Sequence, residues 1–155
     1  MNKMRYIVVV LTCLLGFGLQ GKEIIPFSTI VSGKSIESHL EVYKGKSDGV
    51  LGVARAGANQ FEAYDWKKVP DEKSVLWLRF TIMNEDHYEE KLILGNNQFQ
   101  FLEFYELAED STYKAKLGGS HCDHNLSEIV LGASSWFPFT LPPVKTATYY
   151  IRASN

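Results

Sequence analysis

The sequence predicts an all-β domain, an antiparallel, jelly-roll-like β-sandwich with about eight strands. Three observations carry that prediction. Short runs rich in aromatic and β-branched residues recur along the chain, each bounded by turn residues. Aromatic side chains make up 13% of the 155 residues, a load that two facing apolar sheets would hide. No amphipathic helix of more than a few turns, no internal repeat and no low-complexity tract competes with this pattern.

Taken in order, Met1 to Gly21 reads as a secretory signal peptide. Lys3 and Arg5 form its positive end, Tyr6 to Leu19 its apolar run, and Gly16, Gly18 and Gly21 supply small residues near the cleavage point. The run is shorter than the ~20 residues of a spanning helix and is broken by two glycines. Val10-Leu11-Thr12 makes a poor lipobox ahead of Cys13, which argues against a lipid anchor there. Lys22 to Ser35 is read as an N-terminal lead-in, and Ile36 to Asn155 as one sandwich domain. A secreted or periplasmic location follows from the leader.

Within the domain, Ser38 to Tyr43 reads as an early strand, and Gly45 to Gly57 is too glycine-rich to assign. Val75 to Met83 is the strongest strand: Leu76, Leu78, Phe80 and Ile82 share one face at period two, while Arg79 and Thr81 point the other way. Asn84-Glu85-Asp86-His87 is a polar turn, and Tyr88 to Leu94 returns with Leu92 and Leu94 on one face, which predicts an antiparallel hairpin. Phe99 to Leu107 and Thr112 to Leu117 form two further strands around Ala108-Glu109-Asp110-Ser111. Trp136 to Leu141 and Thr148 to Ser154 close the chain, separated by Pro142-Pro143, which cannot donate to a ladder.

Composition narrows the function. The net charge is −2, and the two leader cations are the only charges before Lys22, so the remainder is more acidic still. No basic stripe marks a nucleic-acid surface. With Cys13 in the leader, Cys122 is the sole thiol of the mature chain, and no internal disulfide is expected.

His121-Cys122-Asp123-His124 places potential metal ligands together. Tetrahedral sites usually draw on two separated pairs, however, and the only other histidines are His39 and His87. The segment is read as a solvated loop, with His121, Cys122 and His124 as weak ligand candidates and no cofactor expected. Carboxylates abound between Asp86 and Asp110, yet no nucleophile elbow, phosphate-binding glycine loop or His-Glu-x-x-His motif appears, so an enzyme is not expected. Asn125-Leu126-Ser127 fits a glycosylation sequon.

Candidate binding residues are Trp77, Arg79, Asn84 and Arg152. A guanidinium offers parallel hydrogen bonds to hydroxyls or a carboxylate. Trp77 shares Arg79's face, and the two would form a sugar-binding patch if that face were exposed. The competing reading pairs Arg79 with a cross-strand carboxylate such as Glu103. Trp66, Trp77, Trp136, Tyr64, Tyr88 and Tyr105 each have a stacking role and a core role open to them, and the core role is the commoner.

Several of these segments resemble a known family. Trp77-Leu78-Arg79-Phe80-Thr81-Ile82-Met83-Asn84, then Leu92-Ile93-Leu94, Phe101-Leu102-Glu103-Phe104-Tyr105, Trp136-Phe137-Pro138-Phe139 and Tyr149-Tyr150-Ile151-Arg152 are similar to the second type of extracellular domain in bacterial seven-transmembrane receptors with diverse intracellular signalling modules. The resemblance spans Ile36 to Asn155. It implies a jelly-roll domain related to carbohydrate-binding modules. The implied function is extracytoplasmic sensing of a small-molecule ligand, carbohydrate or similar, with a membrane receptor or kinase as partner. No transmembrane segment or output domain follows the last strand, as expected of one module of a longer receptor. The alternative is a stand-alone secreted interaction or structural sandwich without a small ligand.

Overall fold

Val75–Met83 forms β4, the strand around which the fold is built, because it is buried on both sides. Its residues alternate between two apolar layers, so one strand serves both. The computed structural model describes residues 23–31, 36–65, 74–96, 99–122, 129–131 and 134–154. In chain order the elements are β1 (Ile24–Pro26), α1 (Phe27–Val31), β2 (Glu41–Tyr43), α2 (Val50–Ala54), β3 (Phe61–Ala63), β4, β5 (Glu90–Asn96), β6 (Phe101–Leu107), β7 (Tyr113–Gly118), β8 (Ile129–Leu131), β9 (Ser134–Leu141) and β10 (Thr146–Ser154). One sheet runs β3-β2-β4-β10-β6-β7 with β1 also on β4, and the second runs β5-β9-β8. The expected all-β, jelly-roll-like sandwich is what forms.

Between the sheets lie Leu78, Phe80 and Ile82 of β4, Leu102 and Phe104 of β6, Tyr149, Ile151 and Ala153 of β10, and Phe137, Phe139 and Leu141 of β9. Tyr149 stacks on Phe80 and Phe104 at centroid distances of 5.3 and 5.6 Å and meets Phe139 edge-on at 4.7 Å. Each such pair adds about 0.5–1.5 kcal/mol to the burial of its rings.

The hairpin expected of Val75–Met83 and Tyr88–Leu94 does not form. β5 pairs with β9, placing Leu94 opposite Phe137 and Leu92 opposite Phe139. β4 instead pairs with β10 along its full length. Both strands need one apolar face covered, and six intervening residues are enough to carry the chain to the other sheet. Asn84 fixes that corner: its amide donates to the carbonyls of Tyr88, Leu141 and Pro142, and its oxygen accepts from Asp86 N.

The segment read as a lead-in contributes to the sandwich. β1 lies parallel to β4, with Ile25 opposite Ile82, and Ile25 and Phe27 join the main core. The early strand is shorter than expected, a 3-10 turn at Glu37–His39 preceding β2. The expected pair Phe99–Leu107 and Thr112–Leu117 forms as the β6–β7 hairpin. At its tip Ser111 takes φ 65°, and Asp110 accepts from both the backbone and hydroxyl of Thr112. The register sets Lys116 opposite Phe104. The β7 lysines therefore share the core-side face at the sandwich edge, where Lys116 reaches Glu106 at 2.9 Å and the Pro138 carbonyl. Tyr113, Ala115 and Leu117 are left on the outer face.

Candidate functional site

The outer face of the large sheet carries most of the candidate residues in a grid set by register. One row runs Trp77, Arg152, Glu103, Leu117 across β4, β10, β6 and β7. The next runs Glu41, Arg79, Tyr150, Tyr105, Ala115. Half of this grid is covered. The glycine-rich stretch after β2, whose ends meet through Lys44 N donating to the Gln60 carbonyl at 2.9 Å, folds α2 down onto the sheet. Val50, Val53, Ala54 and Ala56 pack there with Phe61, Trp77 and Tyr150 in a second apolar cluster.

Under this cover Trp77 is 4% exposed and Arg79 5%. The exposure that a stacking patch at Trp77 and Arg79 requires is therefore missing. The Trp77 indole donates to the Ser47 carbonyl at 3.1 Å. Arg79 binds Glu41, not Glu103, through two bonds of 2.7 and 3.1 Å. Its guanidinium carbon lies 3.4 Å from the Phe61 ring centre, so charge and plane are both engaged. Asn84, 1% exposed, is used up by the corner described above.

Arg152 sits differently. It donates to Glu103 at 2.7 Å, and its side chain is 38% exposed. One of five guanidinium donors is thereby committed. Glu103 also accepts from the Tyr105 hydroxyl; burial first, then that bond, holds the phenol well above its ordinary range.

A cavity of about 280 Å³ opens here, lined in part by Arg152, Glu103, Phe101, Leu117 and His121. Its far wall follows from Gly119. At φ 112° a side chain is disfavoured, and a Cβ would come within 2.2 Å of the Gln100 carbonyl. The resulting turn lets His121 N donate to Gln100 at 2.9 Å and brings the imidazole to 6.0 Å from the Phe101 ring. Phe101, 49% exposed, presents an open aromatic edge beside the ion pair.

The other candidates scatter. Trp136 lies against Gly95, where a Cβ would come 2.6 Å from the ring. Tyr64 packs on the main core, and Tyr88 is exposed. Trp66, Asp123, His124, the sequon and the leader lie outside the described residues. Among the described residues no three His, Cys, Asp or Glu side chains converge as metal ligands, and no helix is long and apolar enough to cross a membrane.

The groove residues Phe101 and Leu117 were not singled out for binding from sequence, and His121 was considered only as a weak metal ligand. The parity of β6 held the signal: Phe101, Glu103 and Tyr105 alternate with the buried Leu102 and Phe104.

A match to the 7TMR-DISM extracellular 2 family covers residues 37–155. The chain belongs to that family. No curated protein and no solved structure matches it. The 7TMR-DISM extracellular 2 assignment makes this an extracellular sensor domain of a receptor and places it outside the cytoplasm. Arg152 and Glu103 fall inside the matched span, and so do both arginine-bearing strands, whereas β1 precedes it.

Proposed function

We propose that this domain senses a small polar ligand, a carbohydrate or a molecule like one, in the groove beside Arg152, on behalf of a bacterial signal-transduction receptor. The observation that carries the reading is the half-open Arg152–Glu103 pair flanked by the exposed Phe101 ring. A sugar has an apolar ring face and a rim of hydroxyls. Phe101 and Leu117 suit the first, while Arg152 donors and Glu103 acceptors suit the second. The domain binds and does not catalyse, and its leader is cleaved on export.

A glycan panel presented to the purified chain tests the reading. Arg152→Ala and Phe101→Ala are expected to abolish binding with at most a few degrees' change in Tm. No binding by the wild type, or equal binding by both variants, would refute it.

A second reading is favoured by the exposed Val75, Phe101 and Leu117 on one face. Such a row suits a protein partner, a receptor or kinase subunit. Concentration-dependent sedimentation without any glycan response would favour it.

A further inference from the structure

A second, larger cavity of about 620 Å³ lies toward the opposite end of β7 and β10, bordered by Tyr113, Tyr150, Lys145 and the hairpin tip at Ser111. It was not anticipated from the sequence. The register connects it to the first. On β7 the outer face reads Leu117, Ala115, Tyr113, and on β10 it reads Arg152, Tyr150, Thr148. Leu117 and Arg152 line the first cavity, while Tyr113, Tyr150 and Thr148 form the outer-face side of the second, which also reaches Thr140, Ala147 and Tyr149 at the rim between the sheets. Between them on β7 lies only the exposed methyl of Ala115, which leaves the floor low. Four residues of strand separate Leu117 from Tyr113, about 13 Å, more than a single sugar ring covers. The α2 cluster covers β4 and Tyr150, takes in Tyr105 and Tyr113 as partly buried rings at its margin, and leaves Ala115 and Leu117 exposed.

From this we infer that the two cavities are the ends of one track along β7, and that the ligand is an extended oligosaccharide and not a single sugar. The inference rests on the carbohydrate reading proposed above and extends it. The chemistry favours a saccharide over an extended peptide. A peptide strand is recognised through the free backbone of a sheet edge. β7 offers such an edge, but a strand added there would lie beside the sheet. The track runs over the outer face, where Leu102, Glu103, Phe104 and Tyr105 of β6 are paired with both β10 and β7, so the face reads its ligand through side chains. Rings at Phe101 and Tyr113 stand at either end, with the Arg152–Glu103 pair between them and hydroxyls at Thr148 and Ser111 beyond. Arg152 is paired with Glu103, and the second cavity carries one cation and one carboxylate, Lys145 and Glu109, so neither end has an excess of charge, which suits a neutral chain.

The test is calorimetric titration of the purified chain with cello-, malto- and chito-oligosaccharides of one to six units. Affinity in the binding series is expected to rise at least about tenfold between the monomer and the tetramer as the second cavity is engaged. Ala115→Trp, at an exposed position, should erase that gain while leaving monosaccharide affinity and Tm unchanged. Tyr113→Ala should weaken the tetramer but not the monomer. Affinity independent of length, or an Ala115→Trp chain that keeps the gain, overturns the extended track and leaves the sugar reading standing. Failure of every series to bind refutes both, and capture of an extended peptide in their place assigns the face to a peptide ligand.

Discussion

Arg79 and Arg152 stand on neighbouring strands, point from the same face and each hold a carboxylate across the sheet at 2.7 Å. Their settings differ in what lies above them. Arg79 has Phe61 on its plane, two bonds to Glu41 and α2 nearby, and its side chain is 6% exposed against 38% for Arg152. Identical side chains in the same ladder thus become a core element and a recognition element. A seventeen-residue excursion between β2 and β3 makes the difference, and the strands themselves do not.

The sharpest way to break this contrast is to remove each guanidinium in turn. Arg79→Ala leaves the poorly hydrated Glu41 without its partner and is expected to cost about 3–5 kcal/mol in denaturant unfolding. A loss under 1 kcal/mol would mean that the covered half is not core.

Lifting the cover should then make Arg79 resemble Arg152. Val53, the fully buried residue of α2, is the residue to change. In a Val53→Asp background the cost of Arg79→Ala should shrink by about 0.5–3 kcal/mol, since residues that share a packing partner, here Phe61, couple by that much. Additive costs would show that α2 does not govern the pair.

Alkali probes the same divide. Burial and the Tyr113 phenol push Tyr150 from 10 up to about 12, and Tyr105 and Tyr149 are raised as well, by burial above all. A raised folded pKa means stability that is complete below the unfolded value and lost as pH climbs through the folded one. Tm should therefore hold up to pH 10 and fall between 10 and 12, and Tyr150→Phe, on the covered side, should flatten that fall. A Tm independent of alkali would contradict the burial.

The smallest stability effect is expected for Arg152→Ala, within about 1 kcal/mol and shrinking further in salt, as for exposed ion pairs generally. A larger cost would make Arg152 a second structural arginine.

How much of this was legible from sequence differs between the two faces of β4. The inner face was plain, since Leu78, Phe80 and Ile82 alternate without interruption and every partner they meet is apolar. The hairpin β6–β7 was equally plain, because Asp110 and Ser111 are local turn signals. Long-range choices were not. Nothing within Val75–Leu94 reveals that β5 leaves for β9, because either arrangement buries Leu92 and Leu94.

Glu41 as the partner of Arg79 was equally hidden, lying 38 positions away on a three-residue strand. Glycines at 45, 49, 52 and 57 concealed α2, whose five residues are held by packing on Trp77 more than by helix propensity. Arg152 was legible as a candidate. Its groove, assembled from β6, β7, β10 and the Gly119 turn, was not.

The corner at Asn84 bears on how the molecule comes together and apart. One side-chain amide ties backbone segments 57 and 58 positions distant, beside reciprocal backbone bonds from Asn84 N to Lys145 and from Val144 N to Asp86. Closing so long a loop costs entropy before any contact compensates, so the local hairpin can form early while this knot waits for both sheets. The two sheets share no strand, and this is where their corners are stitched. The clasp is therefore a kinetic one, which sets how readily the layers part once either sheet begins to fray.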